Sequence, residues 1–160
     1  MKKYLGLVSV AAFLLSGANV VVAKEADKAK MQKSNTPEIY LSVFDASKGL
    51  LTDLNTTQVS RSNPNLQLCW AVQGSFSKKV NVIETMKAPE KQTIVAKGAK
   101  VSSSDGRKTN VIQTSLESAN QGKIVGNCWR FDEQDPIGKY TLQVQVMNKF
   151  YKPMSFSVVK

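Results

Sequence analysis

The sequence predicts an all-β domain, a sandwich of about seven to eight antiparallel strands tied by one disulfide. Three observations carry this. Apolar residues recur at every second position in one segment after another, the period of a strand with one buried face. Glycine, proline, asparagine and aspartate gather between those segments at the spacing of a sandwich. No stretch shows the three-and-four spacing of an amphipathic helix.

The first residues have a different character. Met1-Lys2-Lys3 precede an apolar run from Leu5 to Leu15, followed by "SGANVVVA". A positive start, a short apolar centre and small residues at Val21 and Ala23 read as a secretory signal over residues 1–23. The run is about half the roughly 20 residues a membrane-spanning helix needs. No later segment has that length, so no transmembrane segment is expected after cleavage. The protein is expected to be exported, to a periplasm or beyond. Residues 24–35, "KEADKAKMQKSN", hold Met31 as their one large apolar side chain and read as a flexible leader. Residues 36–160 remain for one sandwich domain, long enough to bury an independent core.

The strands follow in order. "EIYLSVF" places Ile39, Leu41 and Val43 on one side. "TDLNTTQVSRSNPN" is rich in turn formers and reads as a loop. "LQLCWAV" aligns Leu66, Leu68, Trp70 and Val72, with Cys69 on the opposite face. "KVNVIET" and "QTIVAKG" read as two short strands separated at Pro89. Asp105-Gly106 is the strongest hairpin dipeptide in the chain, and "VIQTSLE" follows it. "IVGNCWRF" puts Trp129 and Phe131 on one side and Cys128 on the other. "KYTLQVQVMN" turns Tyr140, Leu142, Val144 and Val146 inward, and "PMSFSVV" closes the series.

An even cysteine count in an exported chain argues for pairing. Each cysteine directly precedes a tryptophan, and neighbouring residues on a strand face opposite ways. If Trp70, Trp129 and Tyr140 are core aromatics, Cys69 and Cys128 point away from the core. They can then bond as a staple on the outer face of one sheet. Such a bond would stabilise the fold by roughly 4 kcal/mol through chain entropy.

The turn "DEQDPIGKY" combines Pro136, which fixes φ, with Gly138, which can take positive φ. Its Gly-x-Tyr step before an alternating strand resembles the corner of immunoglobulin-like sandwiches, where the tyrosine hydroxyl bonds back to upstream backbone. The resemblance covers about ten residues and implies an immunoglobulin-like fold. It departs from antibody domains at Leu142, where those have a cysteine.

Chemistry is bounded by what is missing. The chain has no histidine, which removes Ser-His and Cys-His nucleophiles and histidine-bound metals. Ser75 to Lys78, Ser104-Asp105-Gly106 and Lys108-Thr109-Asn110 share letters with the boxes of penicillin-recognising enzymes. The second and third nearly abut within one hairpin, so the match is chance. Asp132, Glu133 and Asp135 lack calcium-loop spacing and read as a solvated turn. Asn55-Thr56-Thr57 matches a glycosylation acceptor. No cofactor and no metal are expected.

The net charge is +10, two units of it from Lys2 and Lys3. That surplus favours an acidic protein or an anionic envelope glycan or lipid surface as partner. Lys78-Lys79 and Arg107-Lys108 are the candidate binding residues. Tyr40, Phe44, Phe76 and the group Phe150-Tyr151-Lys152 form no converging basic-aromatic signature, and export also argues against nucleic acid. The leading expectation is a non-enzymatic binding module of accessory, adhesive or inhibitory kind. A structural subunit pairing through an exposed strand edge, suggested by the alternation of the last two strands, is the second. A hydrolase without a recognisable motif is the third.

Overall fold

The computed structural model describes residues 38–160, so the expected signal (1–23) and leader (24–35) lie outside the described residues. Among the described residues eleven strands form two sheets. The first runs β2 (Thr52–Asp53), β1 (Ile39–Asp45), β4 (Leu66–Gln73), β8 (Ile124–Trp129). The second runs β3 (Gln58–Ser60), β11 (Met154–Val159), β9 (Gly138–Val146), β5 (Lys79–Lys87), β7 (Thr109–Glu117), β6 (Lys100–Ser104), with β10 (Lys149–Phe150) beside β9. Every pairing is antiparallel except β3 with β11.

The chain visits the second sheet briefly at β3, crosses to it at β4 to β5, returns at β8 and crosses again at β8 to β9. The β11-β9-β5 order in one layer, facing β4-β8 in the other, is the arrangement of an immunoglobulin-like sandwich. The hairpin β6–β7 extends the second sheet beside β5, as the extra strands of variable-type domains do.

The alternation in the sequence becomes the core. Leu68, Trp70 and Val72 of β4 face Val80, Val82 and Met86 of β5 and Leu142, Val144 and Val146 of β9, all buried. Each such apolar side chain contributes about 1.5–3 kcal/mol on burial. Tyr140 stacks on Phe156 with ring centroids 4.9 Å apart, and Phe131 meets Tyr140 edge-on at 5.8 Å. The Tyr140 hydroxyl donates to the Pro136 carbonyl at 2.7 Å, so the expected corner is formed. Burial pushes that hydroxyl's pKa well up.

Three expectations need correction. The loop over 52–65 contains two short strands, β2 and β3. Val59 of β3 is fully buried, but its partner is β11, almost 100 residues on, and no local pattern announces that pairing. This also raises the strand count above eight. "QTIVAKG" forms no strand: residues 91–96 lie without a ladder and 97–98 turn. Pro89 and Gly98 bracket the segment, and strand propensity without a partner gives no sheet. Finally, the last strands are not edges. β9 lies between β5 and β11, and β11 between β9 and β3.

Candidate functional site

Cys69 and Cys128 face each other directly across the β4–β8 ladder and are bonded, with Cα atoms 4.0 Å apart. The staple lies on the outer face of one sheet. In antibody domains the bond instead crosses between sheets; here the partner strands are neighbours, so no crossing is needed.

Behind the staple the two tryptophans converge. Trp70 is buried and Trp129 is packed half-buried against the core. Their indole nitrogens donate to the same atom, Glu84 Oε1, at 2.6 and 2.7 Å. Asn127 Nδ2 donates to Glu84 Oε2 at 3.0 Å. Glu84 comes from β5, so this carboxylate joins the two sheets from inside. It has no exposed surface. Burial raises its pKa, and the bonds from Trp129, Trp70 and Asn127 oppose that rise. Sequence reading missed Glu84. The signal was present: Val80, Val82, Glu84 and Met86 form one inward row, and a carboxylate in such a row needs donors.

The two candidate basic pairs are not brought together. β5 and β7 run antiparallel, with Lys79 opposite Glu117 and Lys87 opposite Thr109. Lys78-Lys79 therefore sit at one end of the sandwich and Arg107-Lys108 at the other, roughly 26 Å away along the strands. All four are exposed. At the first end Lys123 joins them: Gly74 N donates to Lys123 O at 3.0 Å, and Ser118 N donates to Lys78 O at 3.0 Å. The connections 74–78, 118–123 and 147–148 contain no carboxylate. Met147 and Phe150 are exposed beside them.

The other end is built differently. The β6–β7 turn, Asp105–Arg107, takes left-handed backbone throughout. Arg107 Nη2 donates to Thr93 Oγ1 at 3.0 Å, and the Arg107 carbonyl accepts Gln92 N at 3.1 Å. The acidic turn organises itself: Asp135 Oδ2 accepts Asp132 N at 2.9 Å, and Asp132 Oδ1 accepts Gln134 N at 2.8 Å. Gln92 Nε2 donates to Asp135 Oδ1 at 2.7 Å, and Arg61 Nη1 donates to the Asp135 carbonyl. Between the segment 91–95, the hairpin and the β8–β9 connection lies a cleft of about 420 Å³. A second, of about 410 Å³, lies on the other side of Val95, over Thr114, Leu116 and Asn127.

The remaining candidates have structural roles. Asp53 accepts the hydroxyls of Tyr40 and Ser42, both at 2.5 Å, and Asn55 N at 2.8 Å. The Ser42 bond leads in lowering its pKa. Phe44 is half-buried, Phe76 packs on the core, and Tyr151 is buried under the Lys149 ammonium, 5.3 Å from the ring centroid. Asn55 is exposed with φ of 50°. Among the described residues no group of three or more acidic or cysteine side chains is placed to hold a metal ion, and no helix is long and apolar enough to cross a membrane.

Sheet order, tyrosine corner and outer staple together define an immunoglobulin-like β-sandwich domain with one disulfide. The chain belongs to the family described as the PM0630 beta sandwich domain, whose model matches residues 39–159. It is 28% identical over 120 residues to "Uncharacterized protein PM0630" of Pasteurella multocida (strain Pm70), covering 74% of this chain and 75% of that one. Among solved structures it is similar to an immunoglobulin-like protein (PA1606) from Pseudomonas aeruginosa, with TM-score 0.48 and 19% identity, over 76% of this chain and 91% of the other.

Proposed function

We propose that this domain is a non-enzymatic binding module acting outside the cytoplasm, and that it recognises an acidic protein or glycan surface. The observation that carries the reading is the end of the sandwich bearing Lys78, Lys79 and Lys123. Lys78 and Lys123 in two adjacent connections and Lys79 at the start of β5 are exposed there, with Glu117, opposite Lys79, as the neighbouring carboxylate, and Met147 and Phe150 are exposed nearby. Loops held on a rigid sandwich are a usual place for recognition. Three ammonium groups at one end attract a polyanion over a Debye length of about 8–10 Å at moderate salt. The disulfide is compatible with an oxidising compartment.

The test is titration with heparin and with polyglutamate at several salt concentrations. The variant Lys78→Ser/Lys79→Ser/Lys123→Ser is expected to bind about tenfold more weakly at low salt, since each exposed charge contributes up to about 1 kcal/mol. Its salt dependence should also be flatter. Affinity and salt slope equal to those of the parent protein would remove the reading. Arg107→Ser/Lys108→Ser serves as the comparison at the opposite end, where five carboxylates accompany the cations.

A second reading, assembly through a strand edge, moves from the last strands to β8. Among the described residues that strand pairs with β4 and, at Ile124 alone, with Ala119, which leaves the rest of its outer row available for β-augmentation. Light scattering over a concentration series tests self-pairing by this edge; a constant monomer mass counts against it.

A further inference from the structure

We propose that the cleft at the hairpin end is a binding site for an acidic monosaccharide unit of the uronic-acid type. The proposal does not depend on the lysine end, which lies at the opposite pole of the sandwich.

Three features of the cleft converge on that ligand class. The first is an unmet acceptor. Gln92 lines the cleft and is only 3% exposed. Its Nε2 is committed to Asp135 Oδ1, while its Oε1 has no hydrogen-bond partner among the described residues. The amide cannot turn over to solve this, because a flip would aim Oε1 at a carboxylate. A buried acceptor in this state destabilises the protein; the atom itself has essentially no accessible surface, so a ligand hydroxyl would satisfy it once the lining around it shifts. Asp132, on the same lining, adds a carboxylate that also accepts from hydroxyls.

The second feature is cationic. Lys91, Arg107 and Arg130 line the cleft and are exposed. Arg107 uses Nη2 on Thr93, which leaves further donors on its guanidinium. A planar fork of this kind suits a ligand carboxylate. The third feature is an aromatic residue. Trp129 is part of the cleft lining, and its indole nitrogen is held by Glu84. An indole there would give the apolar face of a pyranose a surface to pack on.

The ligand must therefore offer an anion, several hydroxyl donors and a flat apolar face within about 420 Å³, inside the usual range for small-molecule sites. Inorganic phosphate has the charge but lacks the apolar face. A neutral sugar has the donors but lacks the charge.

Isothermal titration and two-dimensional NMR with glucuronate, galacturonate, glucose and glutamate test this on the folded domain. Glucuronate or galacturonate is expected to bind at least about tenfold more tightly than glucose. It should shift the Gln92 side-chain amide and the Trp129 indole resonances. Arg130→Gln and Arg107→Gln replace exposed side chains, and each should weaken uronate binding several-fold with the folded NMR spectrum retained. The Lys78→Ser/Lys79→Ser/Lys123→Ser variant should bind uronate like the parent, which separates this site from the polyanion surface. The proposal is overturned if neither uronate shifts those resonances, if glucose or glutamate binds equally well, or if Arg130→Gln and Arg107→Gln both leave uronate affinity unchanged.

Discussion

Glu84 is the residue whose chemistry is most unlike its neighbours. It is a buried carboxylate answered by two indole N–H groups and one amide, with no cation bonded to it among the described residues. Burial raises its pKa in the folded protein above the ordinary 4.5. The folded state then binds the proton more tightly than the unfolded chain. The associated stability is present below about 4.5 and is lost as pH rises through the raised value. Glu84→Gln keeps an acceptor for both tryptophans and removes the charge, with the Asn127 amide turning to accept from the new NH₂. Its melting temperature relative to the parent should rise as pH increases above about 4.5 and level off once the raised pKa is passed. A constant difference across that range would contradict this account. Glu84→Leu strands the two indole donors instead, and should be about 2–4 kcal/mol less stable than Glu84→Gln at neutral pH. Urea unfolding measures both.

Among the elements, β8 shows how tightly the staple is set. A side chain at Gly126 would bring its Cβ within 2.4 Å of the Trp70 carbonyl oxygen and 3.3 Å of Ala71 Cα. Both are backbone, so neither can swing aside. Gly126→Ala should therefore destabilise by more than the about 1 kcal/mol typical of a single substitution. It should also loosen the β4–β8 ladder, seen as faster amide exchange at Ala71 and Cys128. The strands legible in sequence were those with an inward row of their own, such as Tyr140 to Val146. β3 was not legible because one buried residue, Val59, makes no period. The segment 92–98 was misread for the converse reason. Ile94 and Val95 have strand propensity, yet the segment joins no ladder and Val95 ends up 88% exposed, because propensity alone supplies no partner strand.

For the whole molecule, the disulfide and the core can be weighed separately. Cys69→Ser/Cys128→Ser should lower unfolding stability by up to roughly 4 kcal/mol, read from the urea midpoint. The near-ultraviolet dichroism of the tryptophans should persist in water, because the Glu84 junction lies on the other face of the same strands. A collapse of that signal in the folded variant would show that the staple, rather than the packing, positions the indoles. The outer-face staple was legible because the Cys-Trp step fixes two opposite faces at once. The candidate site was legible only in pieces. Lys78-Lys79 and Arg107-Lys108 are plain in the sequence, but Lys123 joins the first pair, and Gln92 and Arg130 join Arg107, only through connections between distant strands.

The placement of both tryptophans has a practical consequence. The chain has two indoles in all, and both bond to one oxygen at the meeting of the two layers. Intrinsic emission of this protein is thus a single-point optical gauge of whether the layers are still together, and parting them by even a few ångströms should redden it before any strand has melted.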